Sequence, residues 1–238
     1  MARVARPPNQ FLESLSRADY DALQPHLSEV ELEHAAILFS AGEHITHVYF
    51  PTTAAISMVV TLMVGETVEA GMIGRDGVVG GAAALDGPLA LNQAVVQIGG
   101  SSCQIEIRPL KAAIDRSHTL RAALYRYDQF ILAQAQQSAA CIAKHDIEAR
   151  MCRWLLRTRD LIASDTIPLT QEFLAEMLGV RRTSVTLTAK NLHNAGLIDY
   201  RRGRIQITDL EGVQEATCEC YETINLRQRE ILGRIANA

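Results

Sequence analysis

Between Arg181 and Arg204 lie six basic residues, Arg181, Arg182, Lys190, Arg201, Arg202 and Arg204, against a single acid, Asp199. Hydroxyls at Thr183, Ser184 and Thr186 and one apolar side chain, Leu187, are interleaved with them. The segment carries +5 in a chain whose formal net charge is −4, so the remainder carries −9. A cationic patch on an acidic protein is the electrostatic footprint of a nucleic-acid surface. The residue types fit two tasks there. A guanidinium pairs in bidentate fashion with guanine O6 and N7, which reads sequence. Hydroxyls and ammonium groups hold phosphate and sugar, which positions without reading. Charge clusters are also commonly plain solvated surface, so the elements that carry these residues must decide.

Those elements are legible from spacing. Thr170 can cap a helix, with Glu172 in its first turn where the helix dipole favours an acid. Phe173, Leu174, Met177 and Leu178 form its inward face, and Gly179 supplies the left-handed residue that ends it. A second helix runs from about Arg181 to Asn194, with Val185, Ala189 and Leu192 inward. Thr183, Thr186, Leu187 and Lys190 face outward, flanked by Arg182 and Ser184. Helix, glycine turn, helix is the helix-turn-helix arrangement, whose second helix enters the major groove. Gly196 ends that helix. "LIDY" and "RIQIT" then read as two strands around the turn "RRG", a hairpin with Arg201, Arg202 and Arg204 at its tip, like a wing that touches phosphates.

Upstream the texture changes twice. From about Glu31 to Arg108 short Val- and Ile-rich runs ("ELEHAAILF", "HVYFP", "AAISMVVTLMV", "TVEAGMI", "QAVVQI", "CQIEI") alternate with turn material, which predicts an antiparallel sandwich or barrel. The glycines of "GRDGVVGG" read as tight β turns. Asn9 to Ala22 reads as one short helix before it. From Pro109 to His145 the chain lacks Gly and further Pro and predicts one long helix. Its seam is Ala113, Ser117, Leu120, Leu124, Tyr127 and Ile131, followed by a stripe displaced by one residue at Leu132, Ala135, Ala139 and Ile142. Such a helix needs partners, expected to be the barrel of the same chain along one part and the same helix of a second subunit along another. "DIEARMCRWLLRTRDLI" starts the next helix, with the domain boundary near His145–Asp146.

Several function classes are excluded by what the chain lacks. No run approaches the roughly 20 apolar residues of a bilayer span, and "MARVARPPNQ" has no apolar core of a secretion signal. Five scattered cysteines fit reduced cytoplasmic thiols. No nucleophile–base pair and no phosphate-cradling Gly loop argue for an enzyme, and no Cys/His set has metal-motif spacing, so no metal site is expected. His44 and His47 read as polar surface rather than metal or haem ligands, and Cys218 and Cys220 as two incidental thiols rather than a redox pair. Cys141, near the helix seam, is a candidate for an oxidative crosslink between subunits.

From about Leu32 to Asp209 the chain resembles transcription regulators of the Crp/Fnr family, of which the cyclic-AMP receptor protein is the type. "ILFSAGEHITHVYF" and "GMIGRDGVVGGAAAL" are similar to the family's sensor strands, and "HDIEARMCRWLL" to its hinge. "LTQEFLAEMLGVRRTSVTLTAKNLHNAGLI" resembles its helix-turn-helix most specifically. The resemblance implies an α+β protein in three parts. These are a β-roll sensor of the cyclic-nucleotide-binding type over 1–108, a dimerisation helix over 109–145 and a winged helix-turn-helix over 146–238. It implies a homodimer on palindromic double-stranded DNA, not an enzyme, with RNA polymerase a further candidate partner and no membrane. The family's base-reading Arg falls on Arg182. The position that is usually Glu is Thr183, and the second Arg position is Leu187, so the operator should differ from the best-known one. Arg181, Ser184, Thr186, Lys190, Arg201, Arg202 and Arg204 are then the backbone contacts. In the nucleotide cassette, at Gly80–Gly81, the ribose-binding Glu position is Gly81. The phosphate-binding Arg position is Asn92 and its hydroxyl neighbour Gln93, and the dimer-helix hydroxyls fall on Ala135 and Gln136. A buried phosphate without a cation is costly, so cyclic AMP is not expected, no cofactor is assigned and the effector stays open. An iron–sulfur cluster of the family's N-terminal type is not expected either, because no Cys precedes Cys103. The competing reading is a small-molecule sensor that works mainly through protein contacts and binds DNA weakly.

Overall fold

A computed structural model describes residues 6–63, 65–85, 87, 89–201 and 203–236. Arg202, one of the expected backbone contacts, lies outside the described residues. The expected N-terminal helix is two, α1 (Gln10–Ser14) and α2 (Arg17–Leu23), because Ser16 caps the second through the amide of Asp19. Seven strands follow: β1 (Ser28–Leu32), β2 (Ile37–Phe39), β3 (His47–Pro51), β4 (Ala55–Thr61), β5 (Thr67–Ile73), β6 (Gln93–Ile98) and β7 (Gly100–Glu106). They form two antiparallel sheets, ordered β1-β7-β3 and β2-β6-β4-β5. "ELEHAAILF" is not one strand: the chain turns between β1 and β2, with Ala35 at φ 65°. Inward alternation fills the roll. In β3, Val48 and Phe50 are buried while Tyr49 is half-buried, and Ile56, Val96 and Ile105 meet them from the other strands.

The long helix is interrupted. α3 (Ile107–Arg116) ends at Ser117, whose hydroxyl then caps α4 (His118–Lys144) through the Leu120 amide. Ser117 is therefore a cap rather than a rung of a continuous seam. Leu120, Leu124 and Tyr127 press into the roll, as their spacing predicts. Beyond Phe130 the buried face of α4 becomes Gln134, Ser138 and Cys141. Gln134 Oε1 accepts a hydrogen bond from the Met72 amide at 2.6 Å. Gly71 makes that approach possible, since a Cβ there would stand 2.5 Å from the same oxygen. The displaced stripe stays outside, with Leu132 52% exposed and Ile142 42% exposed.

Asp146 caps α5 (Ile147–Ile162) through the Ala149 amide. The chain continues through β8 (Thr166–Pro168), α6 (Gln171–Leu178), α7 (Arg182–Asn194), β9 (Ile198–Arg201), β10 (Arg204–Ile207), α8 (Leu210–Glu215) and α9 (Cys220–Ala236). β8 is the unforeseen third strand of the sheet β8-β10-β9. The two halves are not independent bodies. Ala55, Val59, Met72 and Ile98 of the roll share a core with Met151, Trp154 and Leu155 of α5. In return α9 crosses back, and its Ile224 and Ile235 are buried in the core of the roll. The break between α4 and α5 falls at His145–Asp146, and this packing spans it.

The turn Gly74–Gly77 is where the halves lock. Arg157 of α5 pairs with Asp76, both side chains under a tenth exposed. The same guanidinium donates to Gln228 Oε1 of α9 at 2.9 Å and to the Met72 carbonyl at 3.3 Å. Asp76 Oδ1 accepts from the Gly74 amide at 2.9 Å. Tight turning is not why Gly74 and Gly77 are glycines, since neither has positive φ. A Cβ on Gly74 would lie 2.6 Å from Leu161 Cβ, and one on Gly77 would overlap the Tyr127 hydroxyl. Asn9 closes the turn from below, donating to the Gly77 carbonyl at 2.8 Å and to that of Pro51 at 2.9 Å. Removing one member of a buried ion pair strands the other, at a cost of about 3–5 kcal/mol. Asp76→Ala is therefore expected to lower the unfolding free energy by about that amount, read as an earlier urea midpoint; an unchanged midpoint would show that the pair does not hold the halves together.

Candidate nucleic-acid interface

α6 and α7 form the expected pair. Thr170 caps α6 through the Phe173 amide at 3.3 Å, and Gly179 ends it at φ 62°. Arg150 of α5 donates to the Leu178 carbonyl and so satisfies a terminal acceptor of α6. α7 is held by one face: Val185, Thr188, Ala189 and Leu192 are buried. This packing turns the opposite face to solvent. Arg181, Arg182, Thr183, Thr186, Leu187 and Lys190 are exposed there, and Ser184 is half-buried. Leu187 is 62% exposed, an apolar side chain left in the middle of a polar face. The Thr186 hydroxyl lies 2.7 Å from Gln171 Oε1 and 3.0 Å from the Arg182 carbonyl. Gln171 thus fixes the start of the exposed face, a role that the sequence reading did not assign to it; its place at the first turn of α6, opposite the start of α7, was the available signal.

The wing is the hairpin β9–β10, in which Arg204 pairs in register with Arg201 and Gly203 takes φ 75° at the turn. Arg201 and Arg204 are exposed. Arg201 Nε lies 2.9 Å from Asp199 Oδ2, so its charge is partly answered within the wing. Arg181, Arg182, Lys190 and Arg204 make no ion pair among the described residues.

A second feature is a cavity of about 410 Å³ between the roll and α4. Gly80, Gly81 and Asn92 of the expected sensor residues line it, among Phe39, Ile45, Met58 and Leu124. Gln93 is half-buried in β6 opposite Val59 and is not part of the lining. Gln136 is exposed on the outer side of α4, whereas Gln134, two residues earlier, faces inward. Gly81 has little room for a larger residue, since its Cβ would meet Leu124 at 3.0 Å. Asp128 is the charged side chain among the described lining residues, and burial pushes its carboxyl above the usual range. His44 and His47 stay at the surface end of β3, where His47 Nδ1 meets the Thr46 hydroxyl at 3.0 Å.

Residues 149–216 match the family described as the Crp-like helix-turn-helix domain. No curated protein matches the chain. Among solved structures it is similar to FixK2 of Bradyrhizobium japonicum, with a TM-score of 0.68 at 16% identity over 81% of this chain and 98% of that one. A transcriptional regulator of the CRP/FNR family from Thermus thermophilus gives 0.64 at 19% identity, over 82% of this chain and 98% of that one. The c-di-GMP-responsive global regulator CLP of Xanthomonas campestris gives 0.63 at 14% identity, over 82% and 100%. Residues 149–216 thus carry a Crp-like helix-turn-helix domain, and the chain as a whole shares the fold of these solved structures.

Proposed function

We propose that the chain is a homodimeric, sequence-specific DNA-binding transcription regulator whose sensor does not respond to cyclic AMP. The observation that carries the reading is the division of α7. One face is fully packed, while Arg182, Thr183, Thr186, Leu187 and Lys190 stand exposed, without an ion pair among the described residues. Arg182 at the start of the helix reads guanine, Leu187 one turn on meets a thymine methyl, and Arg204 with Arg181 holds phosphates. Dimerisation runs through the outer stripe of α4, where Tyr125, Leu132 and Ile142 are exposed apolar groups beside small residues at Ala135 and Ala139. Two subunits then present α7 to half-sites about 34 Å apart. The cavity argues for an apolar or uncharged effector. Its described lining holds an acid and no base, the opposite of what a cyclic phosphate needs. Among the described residues no helix is long and apolar enough to cross a membrane, and the reduced thiols suit a cytoplasmic site of action.

Selection of bound duplexes from a random library should recover a palindrome with half-sites one turn apart; a lack of enrichment with and without candidate ligands would favour the protein-contact reading. Arg182→Ala should cost about 1–3 kcal/mol on the preferred site and relax preference at one base pair. Arg204→Ala should weaken all sequences alike and flatten the salt dependence. Retained affinity and preference in Arg182→Ala would remove α7 as the reading helix. Leu132→Glu should shift the protein from dimer to monomer in light scattering, and a dimer that survives this change would place the interface elsewhere.

A further inference from the structure

Four side chains that take no part in the proposed DNA contacts converge at the hinge between α4 and α5. Cys141 is on the last turn of α4, and His145 is its C-cap four residues on. Cys218 and Cys220 come from the turn that opens α9. The three thiols are buried, the imidazole is half-buried, and all four ligand atoms lie within 4.8 Å of one another. Cys141 Sγ is 3.6 Å from Cys218 Sγ, and Cys220 Sγ is 3.7 Å from His145 Nδ1. A tetrahedral zinc ion, with bonds of about 2.3 Å to sulfur and about 2.0 Å to nitrogen, spaces its ligand atoms about 3.5–3.8 Å apart. Both of these edges agree with that spacing.

We propose that Cys141, His145, Cys218 and Cys220 bind one zinc ion, which ties the hinge of the sensor helix to the start of α9. Three thiolates and one imidazole form a closed set of the structural type, and soft sulfur ligands discriminate against calcium and magnesium. The surroundings supply what such a set needs. His145 turns Nδ1 toward Cys220, and its other nitrogen, Nε2, lies 3.2 Å from Glu219 Oε2. A carboxylate on the outer nitrogen fixes the ring and its tautomer for metal binding. Gln137 Nε2 donates to Cys220 Sγ at 3.0 Å. Zinc with three thiolates carries a net charge of −1, and Arg150 and Arg153 are close enough to act on Cys141 electrostatically.

The test uses the full-length protein, purified under reducing conditions without a chelator or a metal-affinity step. Elemental analysis should give one zinc per chain. After zinc is stripped, cobalt(II) titration should give a thiolate-to-cobalt charge-transfer band together with the visible bands of tetrahedral cobalt. The double variant Cys218→Ser/Cys220→Ser should lose both signals, while Cys152→Ser, a change at a buried thiol outside the cluster, keeps them. The wild-type cobalt spectrum does not depend on any variant folding. Failure of the reduced wild type to take up zinc or cobalt would overturn the site. So would undiminished uptake by the double variant, iron–sulfur absorption in place of zinc, or a Cys141–Cys218 disulfide in protein handled without oxygen.

Discussion

A guanidinium withdrawn from water must have its donors met where they stand, and Arg157 imposes that constraint on three separated parts of the chain. Asp76 answers its charge, Gln228 and the Met72 carbonyl accept from Nη1 and Nη2, and among the described residues Nε is left without a partner. Satisfying one buried arginine therefore requires α5, the turn after β5 and α9 to be present together and in register. Attraction alone does not justify such a pair, because desolvation offsets much of it. What the pair adds is geometric demand. Apolar packing between Trp154, Met72 and their neighbours would tolerate some sliding, whereas a forked cation on a carboxylate does not. The orientation of α7 relative to the roll follows from this join, since α7 packs on the α5 and α6 frame.

Much of this architecture could be read from the chain itself, and the reasons differ by element. β3, β5 and β6 fall on the runs "HVYFP", "TVEAGMI" and "QAVVQI" because local β propensity and turn residues agree there. The caps Thr170 and Asp146 and the left-handed Gly179 were equally plain, since each is a local chemical requirement. What could not be read depended on distant partners. Ser117 breaks a pattern that looks continuous, because capping α4 there also satisfies Asp19, whose carboxylate accepts from the Ser117 and Thr119 hydroxyls. Gly74 and Gly77 look like turn residues and are instead spaces for Leu161 and Tyr127.

The two candidate sites show the same contrast. The exposed side of α7 follows from helical periodicity, so spacing places Arg182, Leu187 and Lys190 on one face without any tertiary knowledge. The cassette required alignment to strands that bulge, and β6 shifts register against both β2 and β4. Gln93 accordingly leaves the cavity while Asn92 stays in its wall. The thiol–imidazole cluster was out of reach for a different reason. Its ligands come from the end of one helix and the beginning of another far along the chain, and neither half has a recognisable motif alone.

The return of α9 to the roll has a bearing on inheritance as well as on folding. A β roll and a helix-turn-helix unit joined by a long helix suggest two parts that recombination could exchange at a single cut. Here the last helix, which follows the helix-turn-helix unit, supplies Ile224 and Ile235 to the core of the roll. A graft that moves everything after the hinge would carry away part of the recipient's interior and leave a hole in it. Cutting a second time before α9 spares that core, but the stretch between Ile147 and Ala216, held between α4 and α9 as a page is held in a binding, still has to bring Met151, Trp154, Leu155 and Arg157 to meet the roll, so a graft must keep its inner surface while changing its outer one.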